Sequence, residues 1–383
     1  MNHRFLIIFL IVLLISSIFV SYNFLQINPS MEHSEEVFVG IDVAYDDLEN
    51  IKKLIDEVNP YTNLFVIGST GISYNETLLN ETCEYLYEKD MYFIIYTHSR
   101  SRFEPIKKIE EMYPDHFLGV YFDDEQGGKQ LDIFEFRWVN EADNSSDAAN
   151  QFVDGLSWWI DGRNIRNVTE FYEICPSDFR LFTSDYTYYW YDYKAGYDVI
   201  FAEFGWNYSR QLNVALCRGA ALAQNKEWGA IIAWTYNDWP YLGTGEELFE
   251  DMKLAYDNGA KYILVFDSDE NYTRGILKEE HFEALKQFWD YIQNNPRKSN
   301  AITANVAYVL PKDYGYGFRG PTDKIWGLWE ADSLSLEISY HLGYFLNEYK
   351  TELDVIYDDN ITYDQHYSKY IFWNGTIYDA NKG

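Results

Sequence analysis

Phe117-Leu-Gly-Val-Tyr-Phe-Asp-Asp-Glu125 is a short apolar run that ends in three carboxylates, and Gln126-Gly127-Gly128 follows it. With the period of two of a β-strand, Leu118, Val120 and Phe122 point one way, and Gly119, Tyr121, Asp123 and Glu125 the other. The first set suits a face covered by helices. The second suits a barrel interior, small at the bottom and acidic at the C-terminal mouth, where parallel α/β barrels keep their chemistry. Inward acids in successive layers cost desolvation unless something uses them, which weighs against a merely solvated strand end.

Working outward, short apolar runs alternate with amphipathic stretches, the rhythm of a parallel α/β fold. Strands are predicted over 37–44, 64–68, 92–97, 117–122, 180–184, 197–203, 230–234 and 262–266. Helices are predicted over 47–58, 76–89, 104–113, 209–224, 245–257 and 278–294, the first capped by Asp46 or Asp47 and ended before Pro60. The aromatic stretch 130–172 interrupts the rhythm and reads as a partly helical excursion over the active face. Strand five leads into a tyrosine-rich loop, 186–193. This is the order and size of a (β/α)8 TIM barrel over 37–297. A doubly wound open sheet would carry a glycine fingerprint after its first strand, and Asp42-Val-Ala-Tyr45 has none. From 304 the pattern restarts, with strands over 305–310, 353–357 and 369–373 and a helix over 333–347, a small flavodoxin-like α/β half-domain over 304–383. Its glycine-rich loop, 314–321, lacks the lysine of a phosphate-binding loop.

Residues Phe5 to Val20 carry no charge, Arg4 precedes them, and Glu32, Glu35 and Glu36 follow. We read 1–25 as a signal anchor or signal peptide and 26–36 as a linker. This predicts a single-pass protein of the cell membrane with its C-terminal ectodomain outside, or a secreted one if the segment is removed. Sequons at Asn75, Asn80, Asn144, Asn167, Asn207, Asn271, Asn360 and Asn374 agree with a glycosylated exported protein. A net charge of −31 excludes nucleic acid and anionic lipid surfaces as partners. Cys83, Cys175 and Cys217 show no metal-like spacing and the seven histidines no paired spacing, so no metal or cofactor is expected, although an Asp/Glu cluster could hold calcium. The aromatic share of 19%, clustered in 158–159, 186–193 and 234–239, suits stacking on the C–H faces of sugar rings.

A barrel with acids on the ends of strands four and six, aromatic loops and then a small flavodoxin-like domain resembles the TIM-barrel glycoside hydrolases of the β-galactosidase type. The resemblance implies a retaining hydrolase with its acid/base at the end of strand four, the position of Glu125. It also implies a nucleophile at the end of strand seven, where Trp234-Thr-Tyr236 offers no carboxylate before Asp238. A partial similarity to chitinase-like barrels lies in Asp123-Asp124-Glu125, the last step of their acid ladder, with Tyr121 in place of the earlier acid. Apart from either family, glycosidic cleavage needs one protonated acid and a second carboxylate across the bond. Glu125 is predicted to be the proton donor, its acidity weakened by Asp123 one layer below. Glu203, at the mouth of strand six beside Trp206, is its predicted partner, the alternative being an ion pair with Arg210 or Arg218. Asp42, Asp185 and Asp238 are the alternative partners, or else acids for sugar hydroxyls, and Tyr96, His98, Tyr186, Trp206, Trp234 and Tyr236 are predicted subsite walls.

These readings converge on a membrane-anchored, extracytoplasmic glycoside hydrolase acting on polysaccharide or glycoprotein glycans. The alternative is a catalytically inactive barrel that binds glycans or supports a cell envelope. The expected partners are carbohydrate, the membrane through the N-terminal helix, and a second copy through the C-terminal domain.

Overall fold

The computed structural model describes residues 36–161, 174–297, 304–359 and 366–380. Strands β1 (Phe38–Val43), β2 (Leu64–Ile67), β3 (Tyr92–Thr97), β4 (Phe117–Phe122), β5 (Leu181–Asp185), β6 (Val199–Phe204), β7 (Glu227–Ile232) and β8 (Tyr262–Asp267) form a closed barrel in chain order. All neighbours are parallel, and β8 returns to β1 with Phe38 opposite Tyr262 and Val43 opposite Asp267. The inward residues of the lower layers are unusually aromatic. Phe38 stacks on Tyr262 with ring centres 5.0 Å apart, and Phe182 on Phe201 at 5.8 Å. With Leu64, Val66, Ile94 and Leu264 they plug the barrel, so open space begins at the strands' C-terminal ends.

The surrounding helices are α1 (Leu48–Val58), α2 (Glu76–Glu88), α3 (Phe103–Met112), α4 (Gln126–Leu131), α5 (Ser145–Asp161), α6 (Tyr189–Ala195), α7 (Arg210–Ala223), α8 (Gly245–Asp257) and α9 (Glu279–Asn294). In α1 the Asp47 side chain accepts from the amide of Asn50, and Ile51, Leu54, Ile55 and Val58 form the buried stripe. Strand seven begins three residues earlier than expected, at Glu227. Its polar start is held by Arg180 and by Lys261, 2.7 Å away, at the N-terminal rim.

The tyrosine-rich stretch is a helix, not a loop. Tyr189, Tyr191 and Tyr193 are buried, and the ring of Tyr191 lies 4.6 Å from Trp326 and 5.2 Å from Tyr357. Tyr191 thus joins the barrel to the C-terminal layer, Tyr193 donates to the carbonyl of Glu227 on β7, and none of the three is available to a sugar. Trp159 likewise stacks on Phe122, 5.7 Å away.

The C-terminal layer is a separate four-stranded sheet of β9 (Val306–Leu310), β10 (Leu353–Tyr357), β11 (Lys369–Phe372) and β12 (Ile377–Asp379), with α10 (Ser333–Tyr349). Its order is β10-β9-β11-β12, and β12 runs antiparallel to β11. The sheet packs on α7 of its own barrel. The buried Arg218 guanidinium donates to Asp354 at 2.8 Å and to the carbonyls of Thr351 and Leu353, and Tyr367 donates to the other oxygen of Asp354. This face of the C-terminal layer is thus covered by the barrel of its own chain. The loop 314–320 also packs on the barrel, where Tyr188 donates to the carbonyl of Gly315 and Arg319 grips Asp132 and Asp323.

Among the described residues no helix is long and apolar enough to cross a membrane, which corrects the expectation of a single-pass protein of the cell membrane. The segment 1–25, on which that expectation and the predicted membrane partner rested, lies outside the described residues.

Candidate active site

The strand period that exposed the site is broken twice, at Leu118 and again beyond Phe122. Pairing along β3 passes from Phe93–Phe117 to Ile94–Gly119, so Leu118 is bulged and packs against the barrel interior instead of facing outward. Gly119, at φ +145, permits this because a side chain there would collide with the carbonyl of Arg180. Beyond Phe122 the backbone turns left-handed at Asp123 (φ +57) and again at Glu125 (φ +48), a conformation that non-glycine residues hold only where the surroundings impose it. Asp123 therefore turns away from the expected position beneath Glu125 and accepts from the indole of Trp159 at 2.7 Å. Asp124 and Glu125 face the cavity instead. Lys129 binds Asp124 at 2.8 Å.

Asp185 imposes that turn. Its carboxylate accepts from the amides of Gly127 (2.6 Å), Gly128 (3.0 Å), Tyr186 (2.8 Å) and Thr187 (3.0 Å). It is a strut beneath the Glu125 turn and does not line the cavity, which corrects its assignment to sugar hydroxyls. Burial pushes its acid up to about 6. It lies within hydrogen-bonding reach of the buried carboxyl of Asp192, which receives no N–H or hydroxyl donor and is pushed well above the usual carboxylate range, first by burial.

Glu203 is buried at the end of β6. Its carboxyl accepts from Ser184 Oγ at 2.6 Å, and Ser184 accepts from the hydroxyl of Tyr121 at 2.7 Å, a relay across β4, β5 and β6. The carboxyls of Glu125 and Glu203 lie within hydrogen-bonding reach of each other. Neither predicted arginine approaches Glu203. Arg210 donates to the carbonyls of Gly205, Trp206 and Tyr208 and pairs with Asp251, while Arg218 is held by Asp354. Burial, and then the charge of Glu125, hold Glu203 well above the usual range. Glu125 is pushed up to about 7 by burial and then by Asp124 and Asp185, not by Asp123. Two carboxylates in contact away from water cannot both ionise, so the pair keeps a proton between them.

The cavity over this pair has a volume of about 530 Å³ and opens at the C-terminal mouth. Asp42, Tyr96, His98, Trp206 and Trp234 line it as predicted from the strand ends. Asp42 is almost wholly buried, and burial followed by the charge of Asp124 pushes its acid up to about 8. The indole of Trp234 is fixed by donation to the carbonyl of Ser268 at 2.9 Å. Besides Asp123 and Asp185, three more predicted residues are elsewhere. Tyr186 stacks on Tyr208 and donates to Asp132, while Tyr236 and Asp238 line a shallower neighbouring cleft with Trp206 and Trp239. Sequence reasoning missed Asp124, Ser184, Phe266 and Tyr272, which all line the cavity. Ser184 and Phe266 carry a usable signal at strand ends. Asp124 was hidden by the broken strand period, and Tyr272 comes from a loop with no periodicity.

The raised acids set a pH dependence of stability. Asp123, Asp185, Glu125 and Asp42, at about 6, 6, 7 and 8, bind more protons folded than unfolded once pH exceeds their ordinary values of 3.8–4.5. Stability from these groups is fully present below about 4 and is lost progressively as pH rises from there to about 8, each group's share ending at its own folded value. Thermal melts should show Tm falling by several degrees across that window. A Tm that rises through it would contradict the assignment.

No family model matches the chain, and no curated protein matches it. Solved structures similar to it include a β-1,4-D-mannanase from Cryptopygus antarcticus, with 10% identity over 70% of this chain and 93% of that one, at a TM-score of 0.44. The pneumococcal exo-β-D-N-acetylglucosaminidase StrH gives 10% identity over 70% and 85%, at 0.43. The N-acetylneuraminic acid synthetase of Leptospira borgpetersenii gives 11% over 71% and 89%, at 0.40. These similarities are too remote to carry chemistry or substrate across to this chain, whose barrel is established by its own strand pairing.

Proposed function

We propose that the chain is a glycoside hydrolase whose reacting groups are Glu125 and Glu203. The observation that carries this reading is the meeting of Glu125, half-buried in the turn after β4, with Glu203, buried on β6, at the floor of an aromatic-walled cavity. Glu203, the deeper acid, gives its proton to the glycosidic oxygen as the bond to the anomeric carbon breaks. The carboxylate of Glu125 attacks that carbon from the opposite face, and water then releases the sugar while Glu203 recovers its proton. This assigns the proton to Glu203 rather than Glu125, the reverse of the sequence-based expectation. Retaining enzymes hold their carboxyls about 5–5.5 Å apart and inverting ones about 6.5–9.5 Å, so this close pair lies on the retaining side, and it must part for a sugar to enter between its members. Trp206, Trp234 and Tyr96 supply faces on which a pyranose can stack. In this reading 37–297 is the catalytic barrel, and the flavodoxin-like domain over 304–383 buttresses it without a catalytic group.

Turnover of aryl glycosides and polysaccharides, measured on a broad panel, tests the proposal. At least one substrate should be cleaved, and kcat/KM should rise with pH through about 7 as Glu125 ionises, then fall at higher pH as Glu203 loses its proton. Glycan binding without turnover of any substrate would support a silent binding barrel. A profile that only declines through 7 would return the proton to Glu125.

A further inference from the structure

The cavity has a marked charge asymmetry. Asp42, Asp124, Glu125 and Glu203 face it together with one imidazole, His98, and among the described residues no lysine or arginine lines it. Lys129 is tied back to Asp124, through both its side chain and its carbonyl, outside the lining. Asp42 adds a separate observation. It is 96% buried, inferred from its 4% exposure, yet its Oδ1 has no hydrogen-bond partner among the described residues. That oxygen sits over Gly68, where any side chain would collide with it, and Gly68 itself lines the cavity. A buried carboxyl oxygen without a donor carries a desolvation cost that a bound donor would relieve.

We propose that the cavity selects a sugar bearing a free ammonium group, a 2-amino-2-deoxyhexose without its acyl cap, and that Asp42, assisted by Asp124, receives that ammonium. This rests on the reading of the cavity as a sugar site, and deepens it by naming the substrate class. An ammonium would hold Asp42 ionised, give Oδ1 the donor it lacks and make a charge-assisted hydrogen bond in a dry setting. A neutral hexose would offer only a hydroxyl to the same oxygen. A uronate or sulfated sugar would bring a like charge into a cavity with no lysine or arginine to receive it.

The test uses the full chain and two measurements. The first is calorimetric binding, at physiological ionic strength, of glucosamine and galactosamine and of short oligomers of each, beside their N-acetylated, neutral and uronic acid counterparts. A free-amino probe should bind about tenfold more tightly or better than its N-acetyl counterpart, and the uronates should not bind. Asp42→Asn, shown by its Tm to be folded, should reduce that preference about tenfold. The second is kcat/KM on the corresponding aryl glycosides, where the free-amino substrate should lead and Asp42→Asn should narrow the lead. Equal or tighter binding of the N-acetyl or neutral probes would overturn the inference, as would a preference that Asp42→Asn leaves unchanged. Selective binding of the free-amino probes without turnover of any glycoside would refute hydrolysis and leave this inference standing.

Discussion

Glu203→Gln should lower turnover of natural glycans by roughly 10²–10⁴-fold, the scale on which a general acid contributes. The amide can still accept from Ser184 but has no acidic proton to give, so the loss falls on departure of the leaving group. Aryl glycosides with good leaving groups need little protonation, and the variant should retain far more activity on them. Glu125→Gln removes the nucleophile and should be at least as damaging on both substrate types. Neither variant should unfold the protein, because each replaces one member of a close carboxyl pair by a neutral group of the same shape. Near wild-type turnover of both variants on an established substrate would refute the pair.

Arg218→Ala and Asp354→Ala, tested separately by urea unfolding, should each destabilise by about 3–5 kcal/mol, because each leaves the other charge buried between α7 and the small sheet. The carboxyl of Asp354 lies beneath the sheet and away from the cavity, so turnover by the folded fraction should persist. Replacing both partners with apolar residues of similar volume should recover much of the loss, since the desolvation cost disappears along with the attraction. Loss of turnover in Asp354→Ala at unchanged stability would place a catalytic group in the small domain.

The barrel was legible because its strands are bounded apolar runs, and the period of two correctly directed Asp42 and Tyr121 inward. Glu203 was legible for the same reason. The rule failed where the backbone left the strand conformation. A left-handed turn at Asp123 sent that side chain to Trp159 and brought Asp124 inward, and no pattern of apolar residues announces such a turn. Composition misled at Tyr189, Tyr191 and Tyr193, since an aromatic cluster looks alike whether it faces a sugar or another layer of the protein. Strand β12 escaped because Ile377 and Tyr378 are exposed and it spans three residues, too few for a period. The proton order of the pair also needed the structure. It depends on which carboxyl is deeper and on whether an arginine is near, and both arginines on α7 proved to be engaged elsewhere.

The central claim is that Glu125 attacks the anomeric carbon while Glu203 supplies the proton. The most direct measurement is the configuration of the sugar first released from a cleaved glycoside, followed by proton NMR before mutarotation. A pair this close, on the retaining side of the spacing that separates the two routes, predicts that the first product has the same anomeric configuration as the substrate. Release of the inverted anomer would contradict the account, because inversion requires carboxyls about 6.5–9.5 Å apart, with room for a water beside the sugar.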